Sequence, residues 1–87
     1  MADRAFARLE RAPAYRLVYD AIERQIIGGK LKIGDPLPAE TQLAEQFGVN
    51  RSTVREGIRL LEQSGLVERE GGKRPRISVP HYMDLAS

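Results

Sequence analysis

Eighty-seven residues allow one small domain, close to the lower size limit for a core that folds by itself. The 14 basic and 12 acidic residues give a formal net charge of +2, too small a surplus to indicate a nucleic-acid partner by itself. The sequence has no cysteine, which excludes disulfide and thiolate chemistry, and no apolar run long enough for a signal peptide or a membrane span, so we expect a cytoplasmic location.

A change of pattern separates the first 12 residues from the segment that follows. Residues 1–12 intersperse arginines with apolar residues, and we expect them to form a mobile N-terminal arm. Pro13 suits the first turn of a helix, because the N–H group that proline lacks would have no partner there. Apolar residues then recur with helical period as far as Gly28-Gly29: Tyr15, Val18, Tyr19, Ile22 and Ile26. We expect this helix to close the core, without chemistry of its own.

Residues 30–38 are predicted to form a loop that is anchored by Leu31, Ile33 and Leu37. The Gly-Asp-Pro sequence before Leu37 supplies a turn, and Leu37 is predicted to form a very short strand. Pro38 favours extended backbone in its predecessor, so the next helix begins after it.

Two helices joined by a tight turn are predicted next. The first runs from Glu40 to Phe47 and ends at Gly48, because glycine adopts the left-handed conformation without steric cost. Asn50 is placed to cap the second helix by accepting from a backbone N–H group two or three residues further on. The second helix is predicted to end at Gly65.

The second helix has two chemically distinct faces. The apolar face carries Val54, Gly57, Ile58 and Leu61, and the opposite face carries Arg51, Ser52, Arg55 and Arg59. Small residues, Ala44 and Gly57, are expected where the two helices cross closely, because a mid-helix glycine costs about 1 kcal/mol relative to alanine. The spacing of Ala44, Gly48 and Val54 is typical of a DNA-reading helix-turn-helix. An ordinary helical hairpin with a solvated charged face is the alternative.

After Gly65 the pattern changes to that of a β-hairpin. Residues 66–70 and 76–79 are predicted strands, and the loop between them contains two glycines. Lys73, Arg74 and Arg76 make the hairpin a basic wing that could neutralise phosphates or enter a minor groove, although a solvated hairpin tip would show the same charges. The fold class predicted is α+β and mostly α: a winged helix-turn-helix over residues 13–80, with three helices followed by a two-stranded β-hairpin wing.

The residues at the start of the second motif helix have the chemistry that DNA recognition needs. The guanidinium groups of Arg51 and Arg55 can each bind guanine O6 and N7 through two parallel hydrogen bonds. Asn50, Ser52 and Thr53, together with the exposed N–H groups of that first turn, are suited to hold a phosphate. For Arg59, further along the helix, a solvated or phosphate-facing side chain is expected.

The same residues carry a family resemblance. The motifs, in order, are Gly34-Asp35-Pro36-Leu37-Pro38-Ala39-Glu40, Leu43-Ala44, Phe47-Gly48-Val49, Arg51, Val54-Arg55-Glu56, Leu61-Glu62 and Gly65-Leu66-Val67. They resemble the signature of the GntR family of bacterial transcription regulators, and the fatty-acid-repressor-like (FadR) branch is the most similar. The resemblance implies a dimeric repressor or activator whose N-terminal winged helix binds double-stranded DNA at a palindromic operator.

The resemblance also implies roles for individual residues. The recognition helix, about 51–64, would enter the major groove, with Arg51 and Arg55 matching base-reading arginines, and the wing, 71–76, would enter the minor groove. The DNA-binding residues predicted in this way are Thr41, Asn50, Arg51, Ser52, Thr53, Arg55, Gly72, Lys73 and Arg74.

Four positions depart from the family pattern. Ala39 replaces a serine, so the first motif helix loses its usual cap, and Thr41 replaces an arginine that often contacts a base in that branch. Gly57 replaces an alanine. Leu60 replaces a polar residue and is expected to be either a subunit or domain contact or a single exposed leucine.

Residues 81–87 resemble the start of a linker to a C-terminal domain that, in the family, dimerises and binds a small metabolite. No such domain follows in this sequence, so we expect a fragment cut at the domain boundary, with no cofactor of its own.

Catalysis is not expected, because the single histidine, His81, has no catalytic or metal-binding constellation near it. The alternative function is a winged-helix module that binds protein, which should show apolar anchors on the outward face of the recognition helix.

Overall fold

The computed structural model describes residues 12–78 of the chain. These residues form three helices and a two-stranded antiparallel sheet: α1 (Ala14–Ile27), α2 (Glu40–Phe47), α3 (Arg51–Ser64), β1 (Val67–Glu68) and β2 (Arg76–Ile77). The predicted winged helix-turn-helix is therefore confirmed. The predicted linker and almost all of the predicted arm lie outside the described residues. Within the described part of the chain, no helix is long and apolar enough to cross a membrane.

Helix α1 begins after Pro13, whose carbonyl oxygen accepts the N–H groups of Arg16 and Leu17. It buries Val18, Tyr19 and Ile22, which were predicted to face the core. Tyr15 was expected on the same face, but it is 40% exposed. Tyr15 lies in the first turn of α1 and lines an open groove with exposed residues of α3, including Ser52 and Arg59, so it is not part of the core.

The two motif helices have the predicted bounds and the predicted terminal residues. Ala39 makes no side-chain hydrogen bond to the start of α2, as expected from the missing serine. Gly48 ends α2 with a φ of 68°, in the left-handed region that glycine adopts at little cost. The N–H of Val49 then returns to the carbonyl oxygen of Ala44, which fixes the turn between the helices.

Gly57 lies at a close helix crossing, but its partner differs from the prediction. A Cβ atom at this position would lie 2.8 Å from Cγ1 of Val18 and 3.0 Å from the carbonyl oxygen of Tyr15. Both atoms belong to α1, whereas the sequence suggested a crossing with α2. The error arises because helix periodicity shows that a face is tightly packed but not which helix packs on it.

The wing is a short sheet that is extended by the loop before α2. Val67 pairs with Ile77, and Glu68 pairs with Arg76. Pro36 forms a bridge with Arg76, one residue before the strand that was predicted at Leu37. The N–H of Leu37 also donates to the carbonyl oxygen of Pro75 at 2.9 Å. Strand β2 is therefore paired with β1 on one side and with the α1–α2 loop on the other.

The observed strands are shorter than the predicted ones. The N–H of Leu66 donates to Leu61 at the end of α3, so Leu66 belongs to the helix terminus and not to a strand. Beyond Glu68 the chain enters the loop, where the N–H of Lys73 donates to the carbonyl oxygen of Glu70 at 3.1 Å.

The hydrophobic core joins all five elements and the loop before α2. Its buried members are Val18, Tyr19, Ile22, Leu37, Leu43, Ala44, Val54, Ile58, Leu61, Leu66, Val67 and Ile77. Leu60 is partly buried against this cluster. Leu60 is therefore not the fully exposed leucine of one expectation, and the other expectation, a subunit or domain contact, stays a prediction. The core leaves one face of α3 free, and that face carries the polar residues of interest.

Candidate nucleic-acid interface

Burial divides α3 into an inner and an outer face, as its sequence predicted. Val54, Ile58 and Leu61 are at most 3% exposed and pack into the core. The exposed side chains of the first three turns are Arg51, Ser52, Arg55, Glu56 and Arg59. An exposed polar face on a helix whose other side is fixed in a core can bind a large partner without unfolding.

The Asn50 side chain organises the first turn of α3. Its Oδ1 atom accepts from the backbone N–H of Thr53 at 3.0 Å, which confirms the predicted cap. The same oxygen accepts from the hydroxyl groups of Ser52 and Thr53, each at 2.8 Å. Asn50 thus gathers both hydroxyl groups around one oxygen at the start of α3.

This arrangement changes which groups in the first turn can hold a phosphate. A phosphate oxygen needs donors, and the hydroxyl groups of Ser52 and Thr53 already donate to Asn50. The backbone N–H groups at the start of α3 and the amide group of Asn50 are the better donors there. The predicted phosphate contacts of Ser52 and Thr53 stay a prediction.

Arg51 projects from the first turn of α3 and is exposed. Among residues 12–78, no salt bridge joins its guanidinium group to a carboxylate. The N–H groups of this guanidinium can therefore bind a ligand without first breaking a salt bridge within these residues.

Arg55 lies one turn further along and is held by a carboxylate of α2. Its Nη2 atom lies 3.1 Å from Oε1 of Glu40, and its Nε atom lies 3.3 Å from Oε2. The hydrogen bonds from Arg55 lower the pKa of the Glu40 carboxyl group, and the same contact raises the pKa of Arg55. Glu40 is thus ionised at neutral pH and forms a two-point contact with the guanidinium group.

Glu40 was not among the residues that the sequence assigned to the site. It is 15 residues from Arg55 and lies on a different helix, so no rule of local spacing connects the two. The only available signal was that both residues fall within motifs that also carry the family resemblance.

Thr41 and Arg59 differ in how they contribute to this surface. Thr41 is exposed in the first turn of α2, next to Glu40. Arg59 forms an ion pair with Glu56 at 2.8 Å, and both side chains remain more than half exposed. Arg59 is therefore solvated, which was one of its two predicted states.

The wing tip presents four consecutive exposed residues: Gly71, Gly72, Lys73 and Arg74. Gly71 has a φ of 57°, which an L-amino acid rarely adopts, so glycine is needed for this turn. Gly72, Lys73 and Arg74 line a groove between the wing and the start of α2, where Glu40 also lies. The wing tip and the motif helices thus share one side of the molecule.

Arg76 does not belong with the other two cations of the predicted basic wing. Its Nη1 atom donates to the carbonyl oxygen of Gly34 at 2.8 Å, and its strand position is opposite Glu68. This side chain fastens the wing to the loop before α2. Arg69, which directly follows β1, fastens the wing to α3 in a similar way, because its Nε atom lies 3.3 Å from Oε2 of Glu62.

Comparison with known proteins matches the region that forms this fold. The model of the family described as bacterial regulatory proteins, gntR family, matches residues 14–77. The Glc operon transcriptional activator of Escherichia coli is 44% identical over 69 residues, which are 79% of this chain and 27% of that protein. The mannosyl-D-glycerate transport/metabolism system repressor MngR of Escherichia coli is 46% identical over 56 residues, 64% of this chain and 23% of that protein.

Solved structures show the same likeness. The structure of AraR(DBD) in complex with operator ORX1 has a TM-score of 0.73 and 32% sequence identity, and the match covers 78% of this chain and 82% of that one. By contrast, the chain spans only about a quarter of the length of the two curated relatives.

Proposed function

This chain belongs to the gntR family of bacterial regulatory proteins, and we propose that it reads double-stranded operator DNA as the DNA-binding domain of a transcription regulator. The family predicted from the sequence is correct, whereas the fatty-acid-repressor-like branch remains a prediction. We propose no catalytic role for this domain, because the curated relatives that it matches are a transcriptional activator and a repressor.

One observation carries the proposal: the exposed face of α3 and the wing tip lie on the same side of the core, because Glu40 contacts Arg55 and also lines the groove beside Lys73. Helix α3 has 14 residues, and the major groove of B-DNA is wide enough to admit a helix. Its first two turns present Arg51 and Arg55 where helix-turn-helix docking places base-reading side chains. Asn50, Ser52 and Thr53 surround these arginines at the end of the helix that favours negative charge.

The wing is proposed to contact the adjacent minor groove. Gly71 and Gly72 lack side chains and let the backbone approach the sugar-phosphate surface closely. Lys73 and Arg74 provide the positive charge that the narrow groove attracts. Arg76 is left out of this role, because its guanidinium group is bound to the carbonyl oxygen of Gly34.

The remaining parts of the proposal concern the complete regulator. The two curated relatives are about four times the length of the matched region. From the family resemblance we propose that the complete regulator has a further, C-terminal domain. We expect that domain to bind a small metabolite and to form a homodimer whose two-fold symmetry matches a palindromic operator. A DNA-binding regulator of this kind would act in the bacterial cytoplasm.

The distribution of exposed apolar side chains favours DNA over a protein partner for α3. The large apolar residues exposed in the described region are Tyr15, Leu17, Ile27 and Ile33, which lie on α1 or in the loop after it. A protein-binding recognition helix should instead carry such anchors on its own outward face. The outward face of α3 begins with arginines and hydroxyl groups.

Selection of bound duplexes from a random DNA pool, repeated at several salt concentrations, tests the proposal. We expect an enriched half-site that contains guanine, and binding that weakens steeply as salt rises. Arg55→Ala should lose the preference at one guanine while retaining the helical circular dichroism spectrum. Arg24→Ala, which removes an exposed arginine from α1, is the matched control.

If the 87-residue chain enriches no sequence, the selection should be repeated with a neutral dimerising segment fused after Ser87. Enrichment of an inverted repeat by the fusion alone would show that two domains must bind together. No enrichment with either protein would contradict sequence-specific DNA binding.

A further inference from the structure

We propose that Glu40 is a positioning residue for the base contact of Arg55: it holds one edge of the guanidinium group so that the other edge faces the DNA. This inference rests on the proposed function and assigns a specificity role to an acidic residue of α2.

The geometry leaves a complete recognition edge of Arg55 unused. Glu40 accepts from Nε and Nη2, which form the lateral edge of the guanidinium group. Nη1 and the second N–H of Nη2 form the end-on edge, and no hydrogen bond within residues 12–78 involves Nη1 of Arg55. An end-on pair of parallel N–H groups matches the O6 and N7 acceptors of guanine.

The side-chain exposures support a held but accessible arginine. The Arg55 side chain is 53% exposed, whereas that of Glu40 is 31% exposed. Glu40 is in the first turn of α2, and that helix is fixed by the buried residues Leu43 and Ala44. A negative charge is also favoured at the N-terminus of a helix. Glu40 is therefore the anchored partner, and Arg55 is the one that reaches outward.

Holding Arg55 in this way reduces the entropy that DNA binding would otherwise cost. A long arginine side chain loses much rotamer freedom when it is fixed on a base. Here the contact with Glu40 already restricts Arg55 in the free protein, so less freedom remains to be lost. The nearby guanidinium groups of Arg51 and Arg69 also favour the ionised form of Glu40 at this surface.

A carboxylate on a DNA-binding face also has a cost, which makes the proposal testable. Glu40 should repel phosphates, so its neutralisation should strengthen binding to every duplex. The same neutralisation should weaken the hold on Arg55 and reduce the preference for guanine. Affinity and discrimination should therefore change in opposite directions, which neither simple repulsion nor a purely structural role would produce.

The experiment measures equilibrium binding of the 87-residue chain to two duplexes. One duplex contains the half-site recovered by selection. The other differs from it at a single guanine, the one for which Arg55→Ala has lost its binding preference. A good bidentate contact gives a preference of about 5- to 150-fold for that guanine. We expect Glu40→Gln to reduce the preference at least about threefold while it tightens binding to the substituted duplex.

Two further variants isolate the contact. Glu45→Gln removes the same charge from an exposed position of α2, and no salt bridge in the described region involves Glu45. It should tighten binding slightly and leave the guanine preference unchanged. In the Arg55→Ala background, Glu40→Gln should have no further effect on the preference, because the side chain that it positions is gone.

Several outcomes would overturn the inference. An unchanged or greater guanine preference in Glu40→Gln would show that Glu40 only competes with DNA. An equal loss of preference in Glu45→Gln would indicate a general charge effect. A matched loss of affinity for both duplexes, with a lower melting temperature, would indicate a structural role. If neither the unmodified chain nor its fusion to a dimerising segment shows a guanine preference, the proposed function fails, which is a different result from failure of Glu40 alone.

Discussion

Glu40 and Arg55 are 15 residues apart in sequence, yet their side chains meet with 3.1 Å between Oε1 and Nη2. The contact links the first turn of α2 to the second turn of α3 on the face that we assign to DNA. A second ion pair, between Glu62 and Arg69, links the end of α3 to the wing at 3.3 Å. Both elements that would enter DNA grooves are thus tied by charge to the rest of the motif.

The pH dependence of stability should report the pair between Glu40 and Arg55. The hydrogen bonds from Arg55 lower the pKa of Glu40 in the folded protein, so the unfolded chain binds more protons between the two pKa values. The stabilisation is therefore fully present above the unfolded pKa and is lost as pH falls through the folded pKa. Because Gln resembles a protonated Glu, Glu40→Gln should be less stable than the unmodified chain above the unfolded pKa, and this difference should disappear as pH falls below the folded pKa.

Urea unfolding of the two proteins across this pH range provides the measurement. The other carboxyl groups titrate in both proteins, so their contribution cancels in the difference. Glu45→Gln is the control, and its difference from the unmodified chain should show no such fall at acid pH. A difference for Glu40→Gln that grew towards acid pH would contradict the sign worked out here.

The wing should contribute to DNA affinity mainly through its charges. Replacing both Lys73 and Arg74 by alanine should weaken binding to all duplexes alike and reduce the slope of log affinity against log salt by about two. The control is Arg24→Ala with Lys30→Ala, which removes the same charge from exposed positions on α1 and the loop after it. An unchanged salt slope in the wing variant would remove the wing from the interface.

Two substitutions of Asn50 should separate its effect on the stability of the fold from its effect on DNA binding. Asn50→Ala removes the oxygen that accepts from Thr53 and from two hydroxyl groups, and loss of such a cap costs about 0.5–2 kcal/mol. Asn50→Asp keeps the acceptor and should retain most of the stability. Its added negative charge would face a phosphate, so it should bind DNA more weakly than the unmodified chain. Chemical unfolding and duplex titration of the two variants distinguish these effects.

If Asn50→Asp bound DNA as tightly as the unmodified chain, the first turn of α3 would not face a phosphate. If Asn50→Ala were as stable as the unmodified chain, the three hydrogen bonds to Oδ1 would contribute nothing net to folding. The two results are independent, so each part of the argument can fail alone.

Local rules predicted the parts of this fold that depend on neighbours in sequence. The caps at Asn50 and Gly48 follow from backbone groups that lie within a few residues, and the bounds of α2 and α3 were correct for that reason. The burial of Leu60 could not be found in this way, because it depends on how far the core extends around α3. Sequence periodicity gave only the direction in which Leu60 points.

The candidate site also combines features that local sequence rules predict with features that depend on tertiary packing. The exposed arginines of α3 could be predicted, since they lie opposite an apolar stripe on one helix. The partners of Arg55 and Arg76 could not, because Glu40 and Gly34 lie on other elements and are brought there by tertiary packing. The contacts of the Ser52 and Thr53 hydroxyl groups with Oδ1 of Asn50 also required the structure.

Gly57→Ala tests the close contact between α1 and α3 that the structure revealed. Alanine would gain about 1 kcal/mol of helix propensity, but overpacking typically costs about 1–3 kcal/mol. The clash should prevail here, because the new Cβ atom would meet both a side chain, 2.8 Å from Val18 Cγ1, and a fixed backbone oxygen, 3.0 Å away at Tyr15. A rotamer change of Val18 relieves only the first contact. We therefore expect a net loss of stability, with a fall in melting temperature of about 4–8 °C for each kcal/mol lost.

A double-mutant cycle with Val18→Ala identifies the partner. If Val18 causes part of the clash, the cost of Gly57→Ala should be smaller in the Val18→Ala background than in the unmodified chain. Ala44→Gly serves as the comparison, because it alters the small residue of α2 that the sequence analysis had paired with Gly57. Coupling of Gly57 to Ala44 but not to Val18 would place the close crossing between α2 and α3 and contradict the packing described above.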